Sequence, residues 1–477
     1  MDYRRILLGT TLKGSILRIV GVGALLTILG ALLLRSPVQF SYAASATNWP
    51  TYMGGSARTG YNAFETTLNS TTARQLKLHW KIQAGGPISS QAMVVNNAIY
   101  LGSWDGYEHA TDLNGQELWR TFLGVAAPAG CFPPKAGVAS HATVGTTTIN
   151  GHTQQVVFVG GGDAHFYALD ASNGHVIWST MLGQPPDNMI WAGSALYKGS
   201  IYVGLSSYGD CPLTPGKLFQ LDAATGSVQH AFTTVPPNCD GAGIWMSPTI
   251  DEATDSIYVT TGTIDLCKPY EVLAYGILQF KASDLSLVHS WQVPKDDQIG
   301  DGDFGSTPTL FSATINGVAH QMIGAVNKNG IYYALDRANI SVPYLWKLRL
   351  STQAENAKSS ISSSAWDGKM LYVADSHTVI NGRDCQGSVR ALDPATGKII
   401  WEHCMPGKIQ GSVMAVPGLV AVGSGEYLIV LNATTGTQVF AYHDTSSKSS
   451  LFWGTPTICN GMLYMGNRDG LFYAFGL

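Results

Sequence analysis

Apolar residues in this chain come in short runs that stop at a turn, and the runs recur with one phrase attached. The phrase is a strand, an Asp, a small polar turn ending in Gly, and an aromatic residue four positions after that Gly. Its clearest copies are Tyr167-Ala168-Leu169-Asp170 with Asn173-Gly174 and Trp178, and Ala391-Leu392-Asp393 with Thr396-Gly397 and Trp401. Looser copies follow Asp112, Asp222, Asp336 and Asn432, and degenerate ones sit near Phe280 and Tyr473. Eight units spaced by about 40 to 60 residues predict an all-β, eight-bladed propeller of four-stranded antiparallel blades. Alternating or continuous apolar runs of four to six residues bounded by Gly, Asn and Asp read as strands, and no helical period competes with them. The Asp accepts backbone N–H bonds within its turn, the Gly takes a left-handed conformation, and the Trp is a plate for packing between blades.

The two ends of the chain predict how the ring closes. The last unit, Phe452 to Phe475, stops one strand short of a blade, and Leu76 to Ile82 matches the missing outermost strand. Pairing the two removes an exposed sheet edge.

Residues 1–46 fall outside this pattern. Arg4, Arg5, Lys13 and Arg18 precede an apolar run from Ile19 to Leu34, and Ala44-Ser45-Ala46 offers small residues for cleavage. This reads as a secretory signal peptide. Arg35 directly after the run leaves open a retained N-terminal membrane anchor, for which 16 apolar residues are short. Either way the domain is exported to an extracytoplasmic compartment, and residues 47–477 form one propeller. Of 28 basic and 32 acidic residues, five and one lie in the first 46, leaving a net charge of −8 and no basic footprint for nucleic acid.

Seven cysteines in an exported chain predict disulfides with one thiol left over. With strands labelled A to D outward from the ring axis, the B–C and D–A loops open on one face. Cys131 and Cys239 fall in D–A loops, Cys211 and Cys267 in B–C loops, and Cys385 and Cys404 in a B–C loop and the D–A loop after it. Cys385–Cys404 and Cys239–Cys267 are the expected bridges, with Cys131–Cys211 as a third pairing and Cys459 as a buried free thiol. No C-x-x-C-H occurs, so no c-type haem is expected on the chain.

The repeat phrase, together with Asn48-Trp49-Pro50-Thr51-Tyr52 and Ser56 to Tyr61, resembles the quinoprotein alcohol dehydrogenases and above all their short polyvinyl-alcohol-type members. That resemblance implies pyrroloquinoline quinone (PQQ) as cofactor, an alcohol or polymeric alcohol as substrate and an external electron acceptor. Gly243-Ile244-Trp245-Met246-Ser247-Pro248 is similar to the segment whose Trp underlies the quinone, which assigns that place to Trp245. Val326-Asn327-Lys328-Asn329-Gly330 resembles the segment whose cation reaches the reactive carbonyls, which points to Lys328. Asp301-Gly302-Asp303-Phe304-Gly305 looks like the stretch carrying the catalytic Asp, implying Asp303 with Asp301 as runner-up. For Ca²⁺ the resemblance implies Asp303, with Asp210 where the family has Glu and Thr263 where it has Asn. The adjacent-cysteine pair common above the quinone is absent. The other reading is a non-catalytic scaffold propeller of the cell envelope, since fold does not determine function. Hydrolase, phosphate-loop and dinucleotide fingerprints are missing.

Overall fold

The computed structural model describes residues 45, 47–265, 273–351, 360–447 and 449–477. The expected signal or anchor therefore lies outside the described residues apart from Ser45. Among the described residues, eight four-stranded antiparallel blades follow one another around a ring, the third carrying an extra short strand at Asn188–Met189, with a separate two-stranded pair of Asp240–Gly241 and Ile264–Asp265. Blades 1 to 7 span 93–122, 143–181, 195–233, 249–292, 309–349, 365–405 and 414–443. Blade 8 takes strands A to C from 457–476 and its outermost strand from Lys77–Gln83, which pairs antiparallel with Leu471–Gly476. Among the described residues helix is confined to three short 3₁₀ turns. Strands A are wholly buried in blades 1, 3, 4, 7 and 8 and buried at their first residues in the others, whereas strands D are largely exposed, so the core runs between blades rather than inside one.

The phrase that marks each blade turns out to join neighbouring blades. The Trp119 ring of blade 1 lies against Gly174 of blade 2, and its indole N–H donates to the Ala171 carbonyl at 3.0 Å. Trp401 repeats this on Gly436 and Ala433 in blade 7. A Cβ on Gly174 would come within 2.5 Å of the Trp119 ring, and its φ is +75°, so both the contact and the turn exclude a side chain. Where blade 4 has Leu285 (φ +54°) instead of Gly, the pair is replaced by Phe232 edge-on to Phe280 at 4.8 Å.

A second, inner girdle is polar. Backbone N–H groups at the start of one blade donate to a Ser or Thr hydroxyl of the next: Gly193 to Ser247, Ser247 to Thr307, Thr307 to Ser363, Ser363 to Ser412, and Ser412 to Thr455, all at 2.9–3.1 Å. These bonds pair buried amides that no strand ladder reaches.

The opening segment closes one mouth of the ring. From Trp49 to Asn62 it meets strand A of each blade or the residue beside it. Val94, Val144, Ile250, Leu310, Trp366 and Ala415 pair with its backbone, while Arg58 reaches the Ser194 carbonyl and Asn62 the Ile458 carbonyl. Arg58 is fully buried, and among the described residues no carboxylate lies within ion-pair distance of it. Its guanidinium donates to the Pro248, Tyr52 and Ser194 carbonyls and to Thr51 Oγ1 at 2.6–2.9 Å. Burial lowers its pKa to about 10. The Tyr52 hydroxyl bonds Ser363 and Ser412, tying this plug to the inner girdle.

Two bridges are described: Cys385–Cys404 with Cα atoms 5.3 Å apart and Cys131–Cys211 with Cα atoms 5.7 Å apart. Loop placement of Cys385 and Cys404 is corrected, because both stand in paired strands. Strands B and C of blade 6, Leu371–Ile380 and Arg383–Leu392, run ten residues each, and Cys404 lies within Ile399–Met405. Cys239 is disulfide-bonded, and its expected partner Cys267 lies outside the described residues. Cys459 is a buried free thiol in strand A of blade 8.

Candidate functional site

The open mouth, opposite the plug, carries the B–C and D–A loops. Asp303 and Lys328 are brought together by their own turns. The Lys328 N–H donates to the Asp303 carbonyl at 2.9 Å, and the Asn327 side chain donates to the Gly302 carbonyl at 2.6 Å, so the B–C turn of blade 5 is sewn to the loop before that blade. Asn329 completes the turn by accepting the Ile331 N–H at 2.9 Å, with Gly330 at φ +76°. Lys328 Nζ thereby stands 2.7 Å from Asp301 Oδ1 and 2.8 Å from Asp303 Oδ2.

Asp303 is 5% exposed. Its other oxygen accepts the Thr263 backbone N–H. Burial raises its pKa above the usual carboxylate range, opposed by Lys328 and reinforced by the charge on Asp210. Lys328 stays protonated: burial works against its charge, but the Asp303 and Asp301 carboxylates outweigh it and raise the pKa. An ammonium has three donors and these carboxylates use two.

Carboxylate oxygens of Asp210, Asp301 and Asp303 lie within 4.8 Å of one another. Asp210 holds its place at φ +56°, accepting from Ser207 Oγ at 2.9 Å. Thr263 sits beside this group, but its hydroxyl is engaged with Tyr275 Oη at 2.7 Å and the Gly300 carbonyl at 3.1 Å, so its backbone rather than its side chain serves Asp303. Three carboxylates against one ammonium leave an excess negative charge of two beside a cavity. That donor set of hard oxygens suits a cation such as Ca²⁺.

Trp245 forms the adjoining wall. Lys328 Nζ lies 5.3 Å from its ring centroid, and a Cβ on Gly305 would reach within 2.7 Å of the indole, so the plate needs glycine beneath it. Its Nε1 is buried without a hydrogen-bond partner among the described residues. A cavity of about 640 Å³ opens over this wall, and a side pocket of about 210 Å³ leads from Trp245 and Lys328 to Asp210, Thr263 and Asp303.

Three more tryptophans face the larger cavity and were missed in the sequence: Trp104, Trp191 and Trp453. Trp104 contacts the other two, with centroids 6.1 and 5.6 Å away, and its N–H is tied to Ser89 at 2.9 Å. A signal was available. Six of the twelve tryptophans stand in outer strands, while 104, 191, 245 and 453 stand alone in loops of one face.

Comparison with known proteins agrees with this architecture. A family model described as outer membrane protein assembly factor BamB matches residues 144–263 and 385–476. A polyvinylalcohol dehydrogenase of Sphingopyxis sp. (strain 113P3) is 26% identical over 82% of this chain and 68% of that protein. A quinohemoprotein alcohol dehydrogenase of Pseudomonas putida is 25% identical over 57% of this chain and 43% of its own length. The solved quinohemoprotein alcohol dehydrogenase of Comamonas testosteroni superposes with a TM-score of 0.71 at 17% identity, covering 91% of this chain and 81% of that one.

Proposed function

We propose that this chain, a member of the quinoprotein alcohol dehydrogenase-like eight-bladed propellers, is an extracytoplasmic alcohol dehydrogenase that uses PQQ. The observation that carries the reading is the convergence of Trp245, Lys328 and three carboxylates on one cavity, from loops of blades 3, 4 and 5. PQQ, when bound, supplies the acceptor for the two electrons taken from the alcohol carbon. The chain's own residues do the rest. Trp245 offers a flat face that aligns a planar ring. Asp303, whose basicity burial raises, takes the hydroxyl proton. Lys328 keeps its positive charge and presents it where oxygen gains negative charge. Asp210, Asp301 and Asp303 would hold Ca²⁺, with Asp301 joining where the Thr263 hydroxyl is engaged elsewhere. An external acceptor then collects the electrons, and a hydroxylated polymer is a candidate substrate alongside small alcohols. Export accords with the disulfide bridges.

A non-catalytic envelope scaffold is the second reading, favoured by the family model that matches two stretches of the ring. Titrating PQQ into the mature protein with Ca²⁺ separates the two. The dehydrogenase reading expects saturable quenching of tryptophan fluorescence and alcohol-dependent dye reduction. Asp303→Asn, which keeps an oxygen but cannot take the proton, should lower turnover by at least about 100-fold while quenching persists. Absence of quenching with and without Ca²⁺ would favour the scaffold.

A further inference from the structure

The larger cavity of the open mouth has an unusual charge for this chain. Its lining holds three cations, Lys328, Lys408 and Arg468, and among the described residues no carboxylate, although the chain as a whole carries more acids than bases. The acids gather instead in the side pocket beyond Lys328. Lys408 follows blade 6 and Arg468 lies in the B–C turn of blade 8, across the ring from the carboxylates of blades 3 to 5. Both are exposed, and neither has a carboxylate within ion-pair distance among the described residues. Arg468 is placed over the Trp453 ring at 4.9 Å, which orders a guanidinium that solvent would otherwise leave free.

Four indole walls select a planar aromatic ligand, and cations without counter-charge on one rim select an anionic edge. We propose that Lys408 and Arg468 form a carboxylate-binding rim that grips the acidic edge of a planar polycarboxylate, leaving its opposite edge at Lys328 and the acidic pocket. This rests on the PQQ reading, since PQQ carries three carboxylates on a flat ring system, and it assigns the two residues to the carboxylates turned away from the acidic pocket. The rim also fixes which way round the ligand lies. A reversed ligand would leave both rim cations facing its uncharged edge.

The test uses the full mature protein and equilibrium PQQ binding followed by fluorescence and by ultrafiltration, with Ca²⁺ present throughout. Lys408→Ala and Arg468→Ala should each weaken binding about 5-fold and together about 20-fold or more. The double variant should also lose most of the weakening that added salt causes in the unaltered protein. The trimethyl ester of PQQ separates charge from packing: it should bind the unaltered protein more weakly than PQQ, and the double variant should no longer distinguish the two. Both residues are exposed, and matching thermal midpoints check that the variants fold. Unaltered PQQ affinity in the double variant overturns the rim and leaves the dehydrogenase reading standing. Failure of the unaltered protein to bind PQQ overturns both.

Discussion

The two mouths of the ring carry cavities of similar size, about 670 Å³ beside the plug and about 640 Å³ on the open face, yet their polar groups are arranged on opposite principles. At the plugged mouth, most charge is spent within the protein, although Arg337 Nε is buried without a partner among the described residues. Arg58 meets three carbonyls and a hydroxyl, and Arg337 is tied to Asp251 at 2.7 Å and to Gln321 at 2.6 Å. At the open mouth, charge is left over. Three carboxylates share one ammonium, Trp245 Nε1 has no partner among the described residues, and Lys408 and Arg468 have no counter-charge there. A buried cation is therefore no sign of chemistry by itself. Unbalanced groups converging on a cavity are the better guide, because folding alone selects against them.

The largest expected effect lies at the satisfied mouth. Arg58→Met keeps bulk but leaves the Pro248 and Tyr52 carbonyls without their donor and takes one bond each from the Ser194 carbonyl and the Thr51 hydroxyl, which keep Thr143, and should destabilise the ring by about 3–5 kcal/mol. Cofactor affinity should change little in the surviving folded fraction. Thermal unfolding together with PQQ titration checks both halves, and an unchanged melting midpoint would mean that the plug contributes nothing to closure.

A smaller effect should come from the interblade contacts. Gly174→Val drives a side chain into the Trp119 ring from a left-handed backbone and should cost about 2–4 kcal/mol. Gly151 supplies the control. It also has positive φ, +80°, but nothing lies within 4 Å of where a Cβ would stand. Gly151→Val should therefore cost only the backbone strain, about 1 kcal/mol. Equal losses at the two positions would remove the Trp–Gly contact from the account of the fold.

The propeller was legible in the sequence because its signals are local. A strand, an Asx turn and a Gly recur within a dozen residues, and the spare strand at Leu76 announced closure by the last blade. Trp119, Trp178 and Trp401 could be read as plates for the same reason. The open-face residues were legible only through likeness to a family, since Trp245, Asp303 and Lys328 are each ordinary in their own loop and acquire meaning by converging. Arg58 could not be read at all. Its partners Ser194 and Pro248 lie more than a hundred residues away, and a positive residue near the start of a chain looks like surface. Cys385 and Cys404 read as loop residues because strand length beyond the blade, set by pairing across the hairpin, leaves no mark in the hydrophobic alternation.

The smallest effect separates two buried aspartates that look alike in the sequence. Asp444 of blade 7 accepts bonds from Asn467 at 2.8 Å and Tyr473 at 2.5 Å, and also from Ser450. Burial alone would raise its pKa, but the bonds from Ser450, Tyr473 and Ser446 together hold it below the usual range. Asp375 of blade 6 accepts from Ser360 at 2.5 Å and from the Ser376 N–H at 2.6 Å, both on Oδ1, and among the described residues Oδ2 has no partner. Burial dominates there and pushes the pKa up to about 6. The signs for stability are therefore opposite. Asp444 binds its proton less readily folded than unfolded, so its contribution is present above the unfolded pKa and lost as pH falls through its depressed folded value. Asp375 holds its proton more tightly when folded, so its contribution is present at low pH and is lost as pH rises from the unfolded value near 3.8 to about 6. Thermal midpoints measured from pH 3 to pH 8 should show Asp375→Asn removing a decline worth about 2–3 kcal/mol across that window. Asp444→Asn should leave that window alone and flatten the loss at more acid pH. If Asp375→Asn keeps the decline between pH 4 and 6, then Oδ2 is satisfied in solution and the contrast between a completed and an incomplete carboxyl site fails at this position.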